Sequence, residues 1–189
     1  MRIHKLLQEI ERCRICEGHL TPNPVLSVHK QSRIVVIGQA PGRKVHETKI
    51  PWNDKSGDKL RNWLGVDKAA FYDTRNFALV PMGFCYPGKG KSGDLPPRPE
   101  CAQTWHDSLM KEMSKAKLII LIGQYAQNYY LKAGKSLTEN VKNYKAHLPE
   151  FFVLPHPSPR NIAWMKRNFW FENEVLPKLK EIVCDVLKK

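Results

Sequence analysis

The sequence predicts an α/β fold, a three-layer αβα arrangement round a central, mostly parallel four-stranded sheet, with residues 1–189 forming a single domain. The first sign is four short apolar runs: 33–37, 77–82, 117–122 and 151–154. Unbroken runs of this kind, rich in Val, Ile and Leu, suit strands covered on both faces. The second is the helical patterning between them, since strands alternating with helices imply a parallel sheet with crossover helices. The third is chain order. The loops that carry reactive or phosphate-binding side chains, 38–55, 85–101 and 155–161, each follow a strand. In open α/β sheets, ligands bind beyond those carboxyl ends.

A chain of 189 residues is long enough to bury a full core. Its apolar fraction of 42% and charged fraction of 26% exclude wholesale disorder. The 31 Lys and Arg outnumber the 18 Asp and Glu, giving +13 at pH 7. An excess of that size favours a polyanionic partner, most often nucleic acid. No apolar run approaches the length of a membrane span, and the first residues lack a secretory apolar region. A cytoplasmic monomer with no membrane partner is the expectation. In a reducing compartment the 5 cysteines point to metal or reactive roles before disulfides.

In order, residues 1–16 read as a helix with Ile3, Leu6, Leu7 and Ile10 on one face, running into Cys13-Arg-Ile-Cys16. The strand at 33–37 stops at Gly38-Gln39-Ala40-Pro41-Gly42, a tight turn whose backbone N–H groups can approach a ligand closely. A long loop, 43–55, carries His46, Glu47, Trp52, Asn53 and Asp54, after which Ser56 is read as the cap of a helix that runs to Leu64 and stops at Gly65. The strand at 77–82 leads to Cys85 and a loop from Tyr86 to Glu100 bearing Lys89, Lys91 and Arg98. A loop of that length is uncommon in a compact domain unless functional or tied down, and Cys85 and Cys101 stand at its two ends. Helices are predicted over 102–115, 126–131 and 169–187, the last kinked or divided by Pro177.

The strand at 151–154 breaks into a loop stiffened by Pro155, Pro157 and Pro159. Between them sit His156, Ser158, Arg160 and Asn161: one titratable ring, one hydroxyl, one guanidinium and one amide. A rigid loop so furnished is a candidate site rather than a connector. Cys13-x2-Cys16 and Cys85-x15-Cys101 form two pairs whose four thiolates suit either a structural zinc or a four-iron cluster. Composition does not choose between them. Cys184 is read as a thiol without a role.

Three motifs taken together, Gly38-Gln-Ala-Pro-Gly42, Pro51-Trp52 and His156-Pro-Ser-Pro-Arg-Asn161, resemble the uracil-DNA glycosylase superfamily. The cysteine spacing is similar to that of its iron–sulfur branch, often called family 4, and the final motif to that of the single-strand-selective monofunctional branch. The resemblance implies a DNA-repair hydrolase that flips a uracil or other deaminated base out of DNA and cleaves the base–sugar bond. It implies a 4Fe-4S cluster on Cys13, Cys16, Cys85 and Cys101, with zinc the alternative.

The same resemblance assigns roles. Gly38, Ala40 and Trp52 border the base, Trp52 by stacking, unless it is a core residue beside Trp63. His156 stabilises charge on the leaving base. Pro157, Ser158, Pro159 and Asn161 press on the DNA backbone, and Arg160 is either the wedge that fills the vacated gap or a phosphate contact. Lys89, Lys91, Arg98, Lys166 and Arg167 extend a phosphate track. Two positions depart from the branch. Gln39 replaces a water-activating glutamate, and an amide is no general base. His46, with Glu47 beside it, aligns with a second acidic position. Pro81 replaces the asparagine that reads the base edge, which leaves Asn53 as the candidate amide. The alternative to an enzyme is a non-catalytic DNA-binding or damage-sensing protein on the same fold.

Overall fold

The computed structural model describes residues 2–132 and 134–188. Helix α1 (Arg2–Glu11) precedes strand β1 (Ile34–Ile37); α2 (Arg43–Thr48), α3 (Lys55–Leu64) and α4 (Lys68–Tyr72) then lead to β2 (Phe77–Leu79). A small hairpin, β3 (Lys89–Gly90) and β4 (Gly93–Asp94), comes before α5 (Pro99–Glu112), β5 (Leu118–Ile122), α6 (Gln124–Leu131) and α7 (Leu137–Lys142). Strand β6 (Phe151–Leu154), α8 (Ile162–Arg167), a π turn at Phe171–Val175 and α9 (Leu176–Lys188) complete the chain.

The architecture is a three-layer α/β sandwich whose four-stranded sheet has the order β2-β1-β5-β6. Every neighbouring pair is parallel, so the expected mostly parallel sheet is wholly parallel. Ile34 of β1 stands opposite both Phe77 and Leu118, and all four β1 residues are fully buried. Their side chains have no solvent face to satisfy, which is why the strand reads as an unbroken aliphatic run. Helix α3 packs on α9 and α1 on α5. An aromatic cluster fills the space under the last segment: Trp63 meets Phe171 edge-on at 5.0 Å, and Trp164 meets Phe171 at 5.6 Å.

Beyond the strands, the ladder continues into the loops. Met82 N–H donates to Gly38 O at 2.9 Å and Gly83 N–H to Gln39 O at 3.0 Å, while Gly123 N–H donates to Leu154 O at 2.9 Å. The loops after β1 and β2 and the one after β6 are therefore held in register at one end of the sheet.

Several sequence-derived boundaries shift. The first helix ends at Glu11, and Cys13 and Cys16 lie in the turns beyond it. The 43–55 loop contains α2, and the cap of α3 is Asp54, whose Oδ1 accepts from Gly57 N–H at 2.8 Å, in place of Ser56. The short helices α4, α7 and α8 also lie outside the predicted elements, although two of them carry side-chain caps: Asp67 accepts from Ala70 N–H, and Ser136 with Glu139 forms a capping box on α7. The 86–100 loop folds back on itself as the β3–β4 hairpin.

One buried polar residue escaped the sequence reading. His106 on α5 is 1% exposed and stacks on Phe84. Its Nε2 lies 3.1 Å from Pro81 O and its Nδ1 2.7 Å from Tyr130 Oη. A carbonyl only accepts, so Nε2 carries the proton and Nδ1 accepts from the tyrosine. Burial pushes His106 down to about 4, with the Pro81 carbonyl opposing. The unfolded chain binds this proton near pH 6.5, so the stabilisation is full above that value and is lost as pH falls toward 4. The expected loss is about 3 kcal/mol. Urea titrations at pH 7 and pH 4 check it, with His106→Gln expected to be less stable at pH 7 and to lose markedly less between the two pH values.

Candidate active site

At the carboxyl end of the sheet, the loops after β1, β2 and β6 enclose a cavity of about 520 Å³. Gly38 to Gly42, Trp52, Asp54, Pro81, Asp94, His156 and Ser158 to Asn161 line it. Its volume lies in the usual range for small-ligand sites.

Trp52 forms one wall and is tightly positioned. Its φ is +56°, a left-handed conformation that non-glycine residues adopt rarely and chiefly where surrounding structure imposes it. The imposing groups are identifiable. A Cβ on Gly57 would stand 1.8 Å from Trp52 O, and one on Gly38 would stand 2.7 Å from the indole ring. Arg61, 8% exposed, donates to Trp52 O at 3.4 Å, and Tyr72 Oη donates to Pro51 O at 2.9 Å. The ring stacks on His156, with centroids 5.6 Å apart and planes at 27°. Trp52 thus borders the cavity as well as packing on the edge of the core, whereas Trp63 lies elsewhere, against Phe171.

His156 is held by its own loop. Ser158 N–H donates to Nδ1 at 3.2 Å, and Asn161 Nδ2 donates to the His156 carbonyl at 2.8 Å. With Nδ1 accepting, the neutral ring carries its proton on Nε2. Burial holds the imidazole below its ordinary value, against the carboxylates of Asp54 and then Asp94, which favour the charged form. The resulting neutral donor is what the proline-stiffened loop presents.

The acidic partners differ from those expected. His46 and Glu47 are not among the lining residues. His46 Nδ1 lies 3.4 Å from Asn23 Nδ2, and Glu47 pairs with Arg43 at 2.9 Å on the exposed face of α2. An amphipathic turn of helix, unread in the sequence, carries both away. The carboxylates that do line the cavity are Asp54 and Asp94. Asp54 uses one oxygen to cap α3, and Asp94, on the hairpin, accepts from Tyr86 Oη at 3.4 Å. Asp54 and Ser56 are both good caps by composition, and the backbone places Asp54 at the helix start.

Gln39, Ala40 and Pro81 line the cavity, and the Pro81 carbonyl is engaged by His106. Pro81 therefore offers the cavity only an apolar ring. Asn53 does not supply the missing amide: it lies outside the lining, 3.4 Å from Thr48 Oγ1. Ser158, Pro159, Arg160 and Asn161 border the mouth, while Pro157 is buried behind them. Arg160 reaches across to the hairpin, where Nη1 donates to Ser92 O at 3.1 Å and the guanidinium covers Gly93, leaving no room for a Cβ. Lys89 and Lys91 are exposed on the same hairpin, and Lys166 and Arg167 are exposed on α8. Arg98 stands apart from the expected phosphate track, because its guanidinium pairs with Glu100 and lines the four-cysteine cavity.

Cys13, Cys16, Cys85 and Cys101 line a second, smaller cavity with Phe84, Arg98 and Trp105. Cys101 senses the other three sulfurs, although burial is the main reason its thiol is pushed up to about 12. Two backbone donors already face the sulfurs, Phe84 N–H to Cys101 Sγ at 3.2 Å and Asn23 N–H to Cys85 Sγ at 3.4 Å. Among the described residues, no group of three or more His, Cys, Asp and Glu is set to hold a metal ion. Cys184 is exposed on α9.

Among the described residues, no helix is long and apolar enough to cross a membrane. A family model described as the Uracil DNA glycosylase superfamily matches residues 27–180, a span that contains every residue lining the larger cavity except Val25. With four-fifths of the chain matched and the three motif loops gathered round one cavity, the protein belongs to the uracil-DNA glycosylase superfamily.

Proposed function

We propose that the protein is a monofunctional DNA glycosylase that extrudes a deaminated base into the Trp52-walled cavity and hydrolyses its N-glycosidic bond. The observation that carries this reading is a neutral, burial-shifted His156 with its proton on Nε2, sharing one cavity with the Asp54 carboxylate. The base stacks on Trp52, and its carbonyl accepts from His156 Nε2 as the C1′–N bond breaks and the electron pair leaves with the base. Asp54 takes the role that Gln39 cannot fill. Its negative charge stabilises the cationic sugar, and its free oxygen receives a proton from the water that attacks C1′. Asp54 is preferred to Asp94 because it is half-buried at a helix start, whereas Asp94 is exposed on the hairpin.

An apolar Pro81 in place of a base-reading amide supports a broad choice of base, since discrimination of 10⁴ or more needs buried polar groups that the wrong base leaves unpaired. The excess of basic residues, among them exposed Lys89, Lys91, Lys166 and Arg167, supports binding to the DNA backbone.

Cys13, Cys16, Cys85 and Cys101 would hold a 4Fe-4S cluster. Supporting it are four soft donors on one cavity, in an apolar setting where thiolates need a cationic centre. When bound, the cluster ties the N-terminal segment to both ends of the 85–101 loop.

The test is a panel of single- and double-stranded oligonucleotides carrying uracil, hypoxanthine or xanthine, with strand scission read after alkali. Excision of more than one of these bases is expected, with Asp54→Asn slower by about 10²-fold. Asn still caps α3, so stability stays close to wild type. Tight binding with no scission of any substrate at stoichiometric protein would favour the non-catalytic reading.

A further inference from the structure

We propose that the Trp105 indole N–H donates a hydrogen bond to the sulfur-rich group of the four-cysteine cavity and thereby tunes how readily that group accepts an electron. The inference rests on the cluster reading above. Cys101 and Trp105 lie one turn apart on α5, and both line the cavity. Trp105 Nε1 is buried and has no hydrogen-bond partner, a condition shared among the described residues only with Asn140 Oδ1. Native proteins rarely leave a buried donor unpaired, so each such atom asks for an explanation.

The cavity supplies one by elimination. Cys101 and Cys85 already have donors in Phe84 N–H and Asn23 N–H. The rest of the wall is largely apolar, with Ile15, Leu20, Pro22 and Pro24 contributing side chains that cannot accept. No acceptor among the described residues, the Cys13 and Cys16 sulfurs included, receives the indole N–H, so the acceptor left for it is the occupant, whose sulfide or thiolate sulfur can accept. An N–H aimed at that sulfur favours the more negative, reduced state, because hydrogen bonds to cluster sulfurs help set the potential.

The test uses the holoprotein purified without oxygen, as wild type and as Trp105→Phe, which keeps an aromatic ring and removes the donor. At the wild-type midpoint potential, the variant is expected to be about tenfold less reduced by an electrode. In a second measurement, independent of any substitution, protein labelled with ¹⁵N in the indole is reduced by one electron and read by pulsed electron paramagnetic resonance. One coupled indole nitrogen is expected, and it should vanish in Trp105→Phe. A fully iron-loaded variant with an unchanged midpoint, together with no indole coupling in the wild type, overturns the proposal and leaves the cluster reading standing. A colourless protein without iron overturns both.

Discussion

His156→Ala is expected to lower the single-turnover rate of base release by about 10²–10³-fold, the range for removing one preorganised donor at a developing anion. The deletion takes away the Nε2 proton that the Ser158 N–H contact assigns to that position. It also uncovers one face of Trp52, which stacks on the ring. Removing the carboxylate of Asp94 gives an independent check on the charge state. In the proposed mechanism the neutral ring is the donor, so the rate is expected to fall on the acid side as pH drops through the His156 pKa, which burial holds below 6.5. Asp94 favours the charged form, so Asp94→Asn lowers that pKa further and moves the acid limb to lower pH. A limb that moved upward would contradict the assignment. The profile requires only rates at saturating protein between pH 4.5 and 8.

Gly57→Ala is expected to damage the protein more severely than any exposed substitution. The added Cβ would lie 1.8 Å from Trp52 O and 2.7 Å from Trp52 C, both backbone atoms that no side-chain rotation can clear. The same carbonyl receives Arg61, itself over the Phe71 and Tyr72 rings, so the loop has no easy direction of retreat. A loss of about 3 kcal/mol in urea titration is expected, at the upper end for overpacking. Measured where the variant is still folded, base release should also fall, because Trp52 is moved off His156. Gly38→Ala is the milder companion: its Cβ meets the edge of the indole at 2.7 Å, so a side chain must shift rather than the backbone. Stability close to wild type with reduced excision is the result expected there.

Much of this arrangement is local and was legible in residue order. Strand β1 reads as Ile34 to Ile37 because a strand buried on both faces admits only apolar side chains. The His156 loop is legible because three prolines leave its backbone little choice. The four cysteines of the two spaced pairs line one cavity. What misled was amphipathic and short. Arg43–Thr48 is polar enough to pass for loop, and its helical turn carries His46 and Glu47 out of the cavity. Ser56 is as good a cap by composition as Asp54, and only the backbone geometry chose between them.

By itself, then, the sequence determined the sheet, the motif loops at its carboxyl ends and the histidine they present, since burial and proline geometry act over a few neighbouring residues. The tertiary structure alone decided which carboxylates accompany that histidine. Asp54 and Asp94 lie 40 residues apart in the chain, on a helix cap and a hairpin, and neither belongs to a motif. They reach one cavity only because the parallel sheet brings the loops after β1, β2 and β6 to the same end. The orphaned donor of Trp105 is of the same kind: a missing partner becomes visible only when everything that could have paired with it is in place.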